Sequence, residues 1–226
     1  MAAALEPGKL FTELRAACAD DWRGYVEHDF VRGLGAGTLA ENAFRHYLTQ
    51  DYLFLIHFAR AHALAVYKSD TLEDMRDAAA AVSQILNVEM GLHVKYCAGW
   101  GLSEADMAAV PEARATLAYT RYVLERGMAG DLLDLSVALA PCVLGYGEIG
   151  HRLVGAGTAR DGNPYKSWIE AYGGADYQRA VRMAGAQLDR LYARRGGAAR
   201  LDRLIETFRA ATLLETDFWQ MGLDAA

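Results

Sequence analysis

The stretch FRHYLTQDYLFLIHFARAHA, residues 44–63, decides the fold. Phe44, Leu48, Asp51, Leu55, Phe58 and His62 follow one another at spacings of 3 and 4, which in a helix puts them on one face. Just upstream, Thr38 and Glu41 have the spacing of a capping box, in which the hydroxyl and the carboxylate each satisfy an orphaned backbone donor. The pattern predicts a helix from there to about Lys68. Its apolar stripe carries one carboxylate, Asp51, at an inward position where an unpaired charge is costly or else captures a proton.

The same 3.6-residue period runs through nearly all of the chain and alternating β-branched runs are missing, so the sequence reads as all-α. Glycine clusters punctuate it: GLGAGT (33–38), GWG (99–101), GMAG (127–130), GAGTARDGNP (155–164), YGG (172–174) and RRGG (194–197). Around the 38–68 helix, others are expected over about 9–27, 71–98, 112–127, 131–154, 164–172 joined to 175–194, and 198–222. No repeat or low-complexity linker interrupts them, so residues 1–226 are expected to form a single-domain helical bundle. GLGAGT lacks a preceding strand and reads as a connector ending in the Thr38 cap, not as a phosphate loop.

Composition narrows the function. A net charge of -6 with scattered basic residues gives no electrostatic footprint for nucleic acid or an anionic membrane, so neither partner is expected. Cys18, Cys97 and Cys142 are odd in number, far apart and without metal-pair spacing, which points to reduced thiols in a cytoplasmic protein. The opening MAAALEPGKL has no basic region leading into an apolar run. No segment reaches about 18 apolar residues free of charge, the length of a membrane span.

Two further helices carry polar groups on their apolar seams. In the last, Leu201, Leu204, Phe208, Ala211, Glu215 and Phe218 share a face, and Glu215 is its one charge. In ALAPCVLGYGEIG (138–150) and the turns before it, Leu135, Leu139, Cys142, Tyr146 and Ile149 share another. Pro141 removes a helix hydrogen bond and re-aims the next side chain, and Gly145 and Gly147 are expected to leave open space beside Tyr146. Two inward carboxylates and a thiol suggest a polar pocket. Simpler roles stay open for each: Asp51 bonded to tyrosines, Glu215 facing solvent after a one-residue register shift, Cys142 as a small buried hydrophobe.

The blocks HDFVRGLGAGTL, LTQDYLFLIHFA, VEMGLH, LAPCVLGYGEIG, YKSWIEAYGG and LLETDFWQMG, in this order and at these separations, make the chain resemble the TenA or thiaminase II family from about residue 8 to 222. The resemblance implies a heme-oxygenase-like helical fold without heme, a homotetramer, and no metal or organic cofactor. It also implies hydrolysis at the exocyclic methylene of 4-aminopyrimidines, in salvage of the thiamin pyrimidine. Position by position, the nucleophile falls on Cys142, the acid/base on Glu215 and the pyrimidine-binding carboxylate on Asp51. Tyr119, Tyr146 and Tyr172 match tyrosines around the ring, and Phe218 an aromatic wall. Phe54 stands where relatives often have tyrosine, so a hydroxyl contact is lost there. The presence of Cys142 places the resemblance with the cysteine-containing branch. An ordinary thiol, with pKa about 8.5, is only a few per cent thiolate at neutral pH, so Asp51 is expected to help by holding the aminopyrimidine in a cationic, electron-poor form.

Two rival classes are open. The fold family includes di-metal oxidases, and Glu89 with His93 and Glu148 with His151 each have a spacing that can share a helix face, but the matched set of further carboxylates is missing. The bland readings are an i, i+4 pair or inter-helix hydrogen bond for Glu89 and His93, and a solvated turn for His151. The other class is a non-catalytic pyrimidine-binding or regulatory protein that keeps the pocket without the reaction. His46, His57 and His62 share no ligand spacing, and Trp22, Trp100, Trp168 and Trp219 read as core anchors near helix ends.

Overall fold

A computed structural model describes residues 7–225. Regular structure among the described residues is helical throughout. The helices are α1 (Lys9–Ala17), α2 (Ala19–Val26), α3 (Asp29–Ala36), α4 (Glu41–Lys68), α5 (Leu72–Gln84), α6 (Met90–Ala98), α7 (Glu104–Ala108), α8 (Arg114–Ala129), α9 (Leu132–Ala140), α10 (Tyr146–Gly155), α11 (Lys166–Gly173), α12 (Ala175–Arg195) and α13 (Ala198–Asp224). Two π-helical turns, Ile85–Glu89 and Pro141–Gly145, splice α5 to α6 and α9 to α10.

The central member is α4. Its residues from Tyr47 through Leu55 are all buried, so the helix is covered all round instead of on one stripe. Gln50, within that run, does the work of a cap for another helix: its side-chain oxygen accepts the Ala113 backbone N–H at 2.9 Å and the Thr116 hydroxyl at 2.7 Å. This fixes the start of α8 and, one turn on, Tyr119. The seams expected on α13 and on α9–α10 are inward-facing, with Leu204, Phe208, Ala211 and Phe218 buried on the first and Leu135, Leu139, Tyr146 and Ile149 on the second. The apolar Leu132–Gly155 run is long enough to cross a membrane by length and composition, but in this fold 78% of its most apolar window lies inside the protein.

Several local expectations are corrected. The 9–27 segment breaks at Cys18, and Asp20 and Asp21 then occupy the first turn of α2, where carboxylates favour a helix start. GLGAGT is mostly helix: it closes α3, and Gly37 (φ 75°) supplies the left-handed C-terminal residue. Thr38 does not cap α4. Its N–H donates to the Gly33 carbonyl, and α4 begins at Glu41 after Ala40, which supplies no side-chain cap. Side-chain capping boxes occur instead at Ser103 with Asp106 and at Asp131 with Asp134. The space beside Tyr146 is filled: a Cβ on Gly145 would stand 2.3 Å from the Tyr25 ring, and one on Gly147 would stand 2.3 Å from Val181. Those glycines admit α2 and α12. His151 lies within α10 and not on a turn.

Gly150 performs the same service for α11. A Cβ there would lie 2.4 Å from the Tyr172 carbonyl carbon and 2.5 Å from the Gly173 nitrogen, both backbone atoms that have no rotamer to yield. Gly150→Ala is expected to cost about 1–3 kcal/mol in urea unfolding.

Candidate active site

Two helices and the two π turns bring the acids and the thiol of the site together. Asp51 comes from α4, Glu215 from α13, Cys142 from the Pro141–Gly145 turn and Glu89 from the Ile85–Glu89 turn. The charges of Glu215, Glu89 and Asp51 all bear on the Cys142 thiol. Pro141 lacks the N–H that an α-helical ladder needs, and the wider turn absorbs that loss while it presents the next residue, Cys142. At the other π turn the Met90 N–H reaches back to the Ile85 carbonyl, and Glu89 is set just before α6.

Hydrogen bonds define how each acid is held. One oxygen of Asp51, Oδ2, accepts the Tyr47 hydroxyl at 3.1 Å and lies 2.6 Å from His93 Nε2. Tyr47 itself accepts the Trp168 indole N–H at 3.3 Å and sits 3.4 Å from the Tyr146 hydroxyl. Glu215 Oε1 accepts the Tyr119 hydroxyl at 2.8 Å, and Glu89 Oε1 accepts the Tyr172 hydroxyl at 3.0 Å. Around these run aromatic walls: Phe54 against Tyr119 (5.0 Å between centroids) and Phe218 (5.7 Å), and Tyr146 against Tyr172 (5.0 Å) and Trp219 (5.2 Å). The carboxylates of Asp51 and Glu215 are both buried, so the register that puts Glu215 inward is the correct one.

Burial controls the electrostatics. It pushes the Glu215 carboxyl up to about 8, against the opposing pull of the Tyr119 hydrogen bond, so this acid holds a proton at neutral pH. Burial likewise pushes the Cys142 thiol well above its ordinary value, with the charges of Glu215, Glu89 and Asp51 adding to the rise. This corrects the expectation of a thiol that is a few per cent ionised: the resting group is S–H. For His93, burial disfavours the charged ring, but the Asp51 hydrogen bond and charge outweigh it and the net shift is upward. Its Nδ1 faces the Glu89 backbone carbonyl at 2.9 Å, an atom that only accepts, so both ring nitrogens face acceptors and the ring is an imidazolium paired with Asp51.

The eight residues singled out from the sequence, Cys142, Glu215, Asp51, Phe54, Tyr119, Tyr146, Tyr172 and Phe218, thus belong to one connected cluster. Tyr47, Glu89 and His93 complete it. His93 and Glu89 do make hydrogen bonds to other helices, His93 to Asp51 and Glu89 to Tyr172, and the second His93 nitrogen faces the Glu89 backbone carbonyl. Glu148 turns away to Arg15 (3.0 Å) and the Trp22 indole (3.1 Å). Removing one member of a buried pair strands the other, so His93→Leu is expected to lower stability by roughly 3 kcal/mol in urea unfolding, because Asp51 would lose the shorter of its two hydrogen bonds.

Comparison with known proteins agrees with this architecture. The model of the TENA/THI-4/PQQC family matches residues 15–225. An aminopyrimidine aminohydrolase of Halalkalibacterium halodurans is 36% identical over 202 residues, covering 89% of each chain. A hydroxymethylpyrimidine/phosphomethylpyrimidine kinase of Saccharomyces cerevisiae is 32% identical over 205 residues, but the match spans only 37% of that longer protein. The crystal structure of a TenA family transcription regulator from Silicibacter sp. TM1040 superposes with a TM-score of 0.92 at 51% identity, covering 96% of this chain and 98% of that one. With a family match over almost its whole length, the chain belongs to the TENA/THI-4/PQQC family.

Proposed function

We propose that the protein is an aminopyrimidine aminohydrolase of the thiaminase II type, which hydrolyses the bond at the exocyclic methylene of a thiamin-derived 4-aminopyrimidine. The observation that carries this reading is that Asp51 and Glu215, from two different helices, both act on the Cys142 thiol within an aromatic enclosure. The aminohydrolase relative, alike over nearly all of both chains, supports the same chemistry. In the kinase relative, the matching part is joined to a longer protein whose name points to hydroxymethylpyrimidine, the product this reaction gives.

The steps follow from the protonation states. The Cys142 sulfur bonds to the ring carbon beside the one bearing the methylene, and the thiol proton ends on a ring nitrogen that carries none. The bond from methylene to amine breaks, and the departing nitrogen takes the Glu215 proton. Glu215, now a carboxylate, takes a proton from water as the water oxygen bonds to the methylene. The S–C bond then breaks and the ring proton returns to sulfur. Asp51 holds the amino edge through the oxygen not taken by Tyr47 and His93, and Phe54 contributes a wall without a hydroxyl. No metal or organic cofactor takes part in these steps. We place the enzyme in the cytoplasm as a homotetramer, in keeping with three free cysteines and exposed apolar side chains such as Tyr67, Leu86 and Val88.

Incubation with an aminomethylpyrimidine, with released ammonia as the readout, tests the proposal. Catalytic ammonia release is expected. The relative named as a transcription regulator keeps a second reading in play, a binding protein without turnover. Tight pyrimidine binding with no ammonia release would select that second reading.

A further inference from the structure

Each hydroxyl around the site has one hydrogen, and the protein already claims most of them. Tyr47 donates to Asp51, Tyr119 to Glu215 and Tyr172 to Glu89. A tyrosine that has donated to a carboxylate offers only its oxygen lone pair to a guest. Tyr172 is therefore an acceptor at its free side, made so by Glu89. Burial and the charge of Asp51 push the Glu89 carboxyl up, while the charge of His93 and the Tyr172 hydrogen bond oppose that rise, so a cation arriving at this edge would favour the carboxylate. His93 is paired with Asp51, and Glu89 and Asp51 are the carboxyl groups whose charge bears on both Cys142 and Tyr172.

Two features of Glu89 thus point the same way: its hydrogen bond leaves Tyr172 only a lone pair to offer, and its carboxyl lies beside that lone pair. A neutral ring nitrogen would bring its own lone pair against that of Tyr172, a repulsive contact in a dry site. A protonated nitrogen would instead donate to Tyr172 and meet the charge of Glu89. We infer that Glu89 is a positioning residue which, by accepting the Tyr172 hydroxyl's hydrogen bond, makes the site bind the aminopyrimidine ring as its N–H cation, the electron-poor form that the Cys142 sulfur attacks. This inference rests on the function proposed above. It also gives the π turn at Ile85–Glu89 a purpose: one residue holds His93 through its carbonyl and Tyr172 through its side chain.

The test uses the full-length protein and 4-amino-5-hydroxymethyl-2-methylpyrimidine, the proposed product, at a pH above the free pyrimidine's own pKa. Ultraviolet difference spectra distinguish the bound neutral ring from the bound cation, and titration gives the Kd. The wild type is expected to show the cation spectrum. Glu89→Gln, which keeps the shape and removes the charge, should show the neutral spectrum and a Kd raised at least roughly tenfold. Tyr172→Phe should do the same, and the double variant should lose little more, because the two residues act as one unit. A neutral spectrum in the wild type, or an unchanged cation spectrum and Kd in Glu89→Gln, would overturn the inference and leave the proposed reaction standing. Failure of the wild type to bind the pyrimidine at all would overturn the proposed reaction itself, and this inference with it.

Discussion

Replacing Cys142 by serine is expected to lower kcat for ammonia release by at least about 10³-fold while the Kd for the pyrimidine changes little. A hydroxyl is a far weaker nucleophile and a far weaker acid than a thiol, and nothing beside position 142 would ionise it, since the charges that bear on this position are acidic. Those same charges explain why the resting thiol is protonated and why a cationic ring is needed before it reacts: positive charge arriving beside Cys142 reverses the field that suppresses its ionisation. Binding should survive because the holding groups, Asp51, Tyr146, Tyr172 and Phe218, lie on other turns and helices, and serine fits the space of cysteine. Steady-state kinetics and calorimetric titration of the variant measure the two effects separately. A Cys142→Ser enzyme that turns over at the wild-type rate would remove the covalent step.

The acids of this site were legible in the sequence because burial makes them anomalous. Asp51 interrupts a stripe of Phe44, Leu48, Leu55 and Phe58, and Glu215 interrupts one of Leu204, Phe208, Ala211 and Phe218. A carboxylate on an apolar seam signals a site because its desolvation must be compensated. Tyr47 carries no such signal. It lies three residues after Phe44 and four before Asp51, along the same face of a helix that turns out to be buried all round, and a buried tyrosine on such a helix is ordinary. The partnership of His93 with Asp51 joins residues 42 positions apart on different helices, and periodicity along one segment carries no information about which neighbour a side chain meets. The π turns were illegible for a related reason. Pro141 announces a distortion but not its form, and Ile85–Glu89 has neither proline nor glycine to announce one. Glycine clusters marked most helix ends, but Gly33, Gly35, Gly145 and Gly147 lie within helical turns, with packed neighbours close to where a side chain would stand.

Glu215→Gln is expected to lower kcat by about 10³-fold, within the range for losing a well-placed acid/base group. The amide keeps the size of the side chain and can still accept from Tyr119, so the fold and the aromatic wall persist, but it can neither protonate the leaving amine nor take a proton from water. The pH profile gives the sharper signature. With its carboxyl pushed up to about 8 by burial, Glu215 is protonated at neutral pH, and the wild-type rate should fall as pH rises through about 8, where the acid form disappears. In the glutamine variant that limb should vanish from the residual rate. Stability gives an independent reading. A carboxyl raised from 4.5 to about 8 binds its proton more tightly in the folded than in the unfolded chain. The folded-state advantage is therefore full below about pH 4.5 and is lost progressively as pH rises through about 8. The wild type should lose stability relative to Glu215→Gln across that window, by up to about 1.4 kcal/mol per pH unit, measured by urea unfolding at several pH values. Parallel stability curves for the two proteins would mean that Glu215 is ionised when buried, and the acid that releases the amine would then have to be another group.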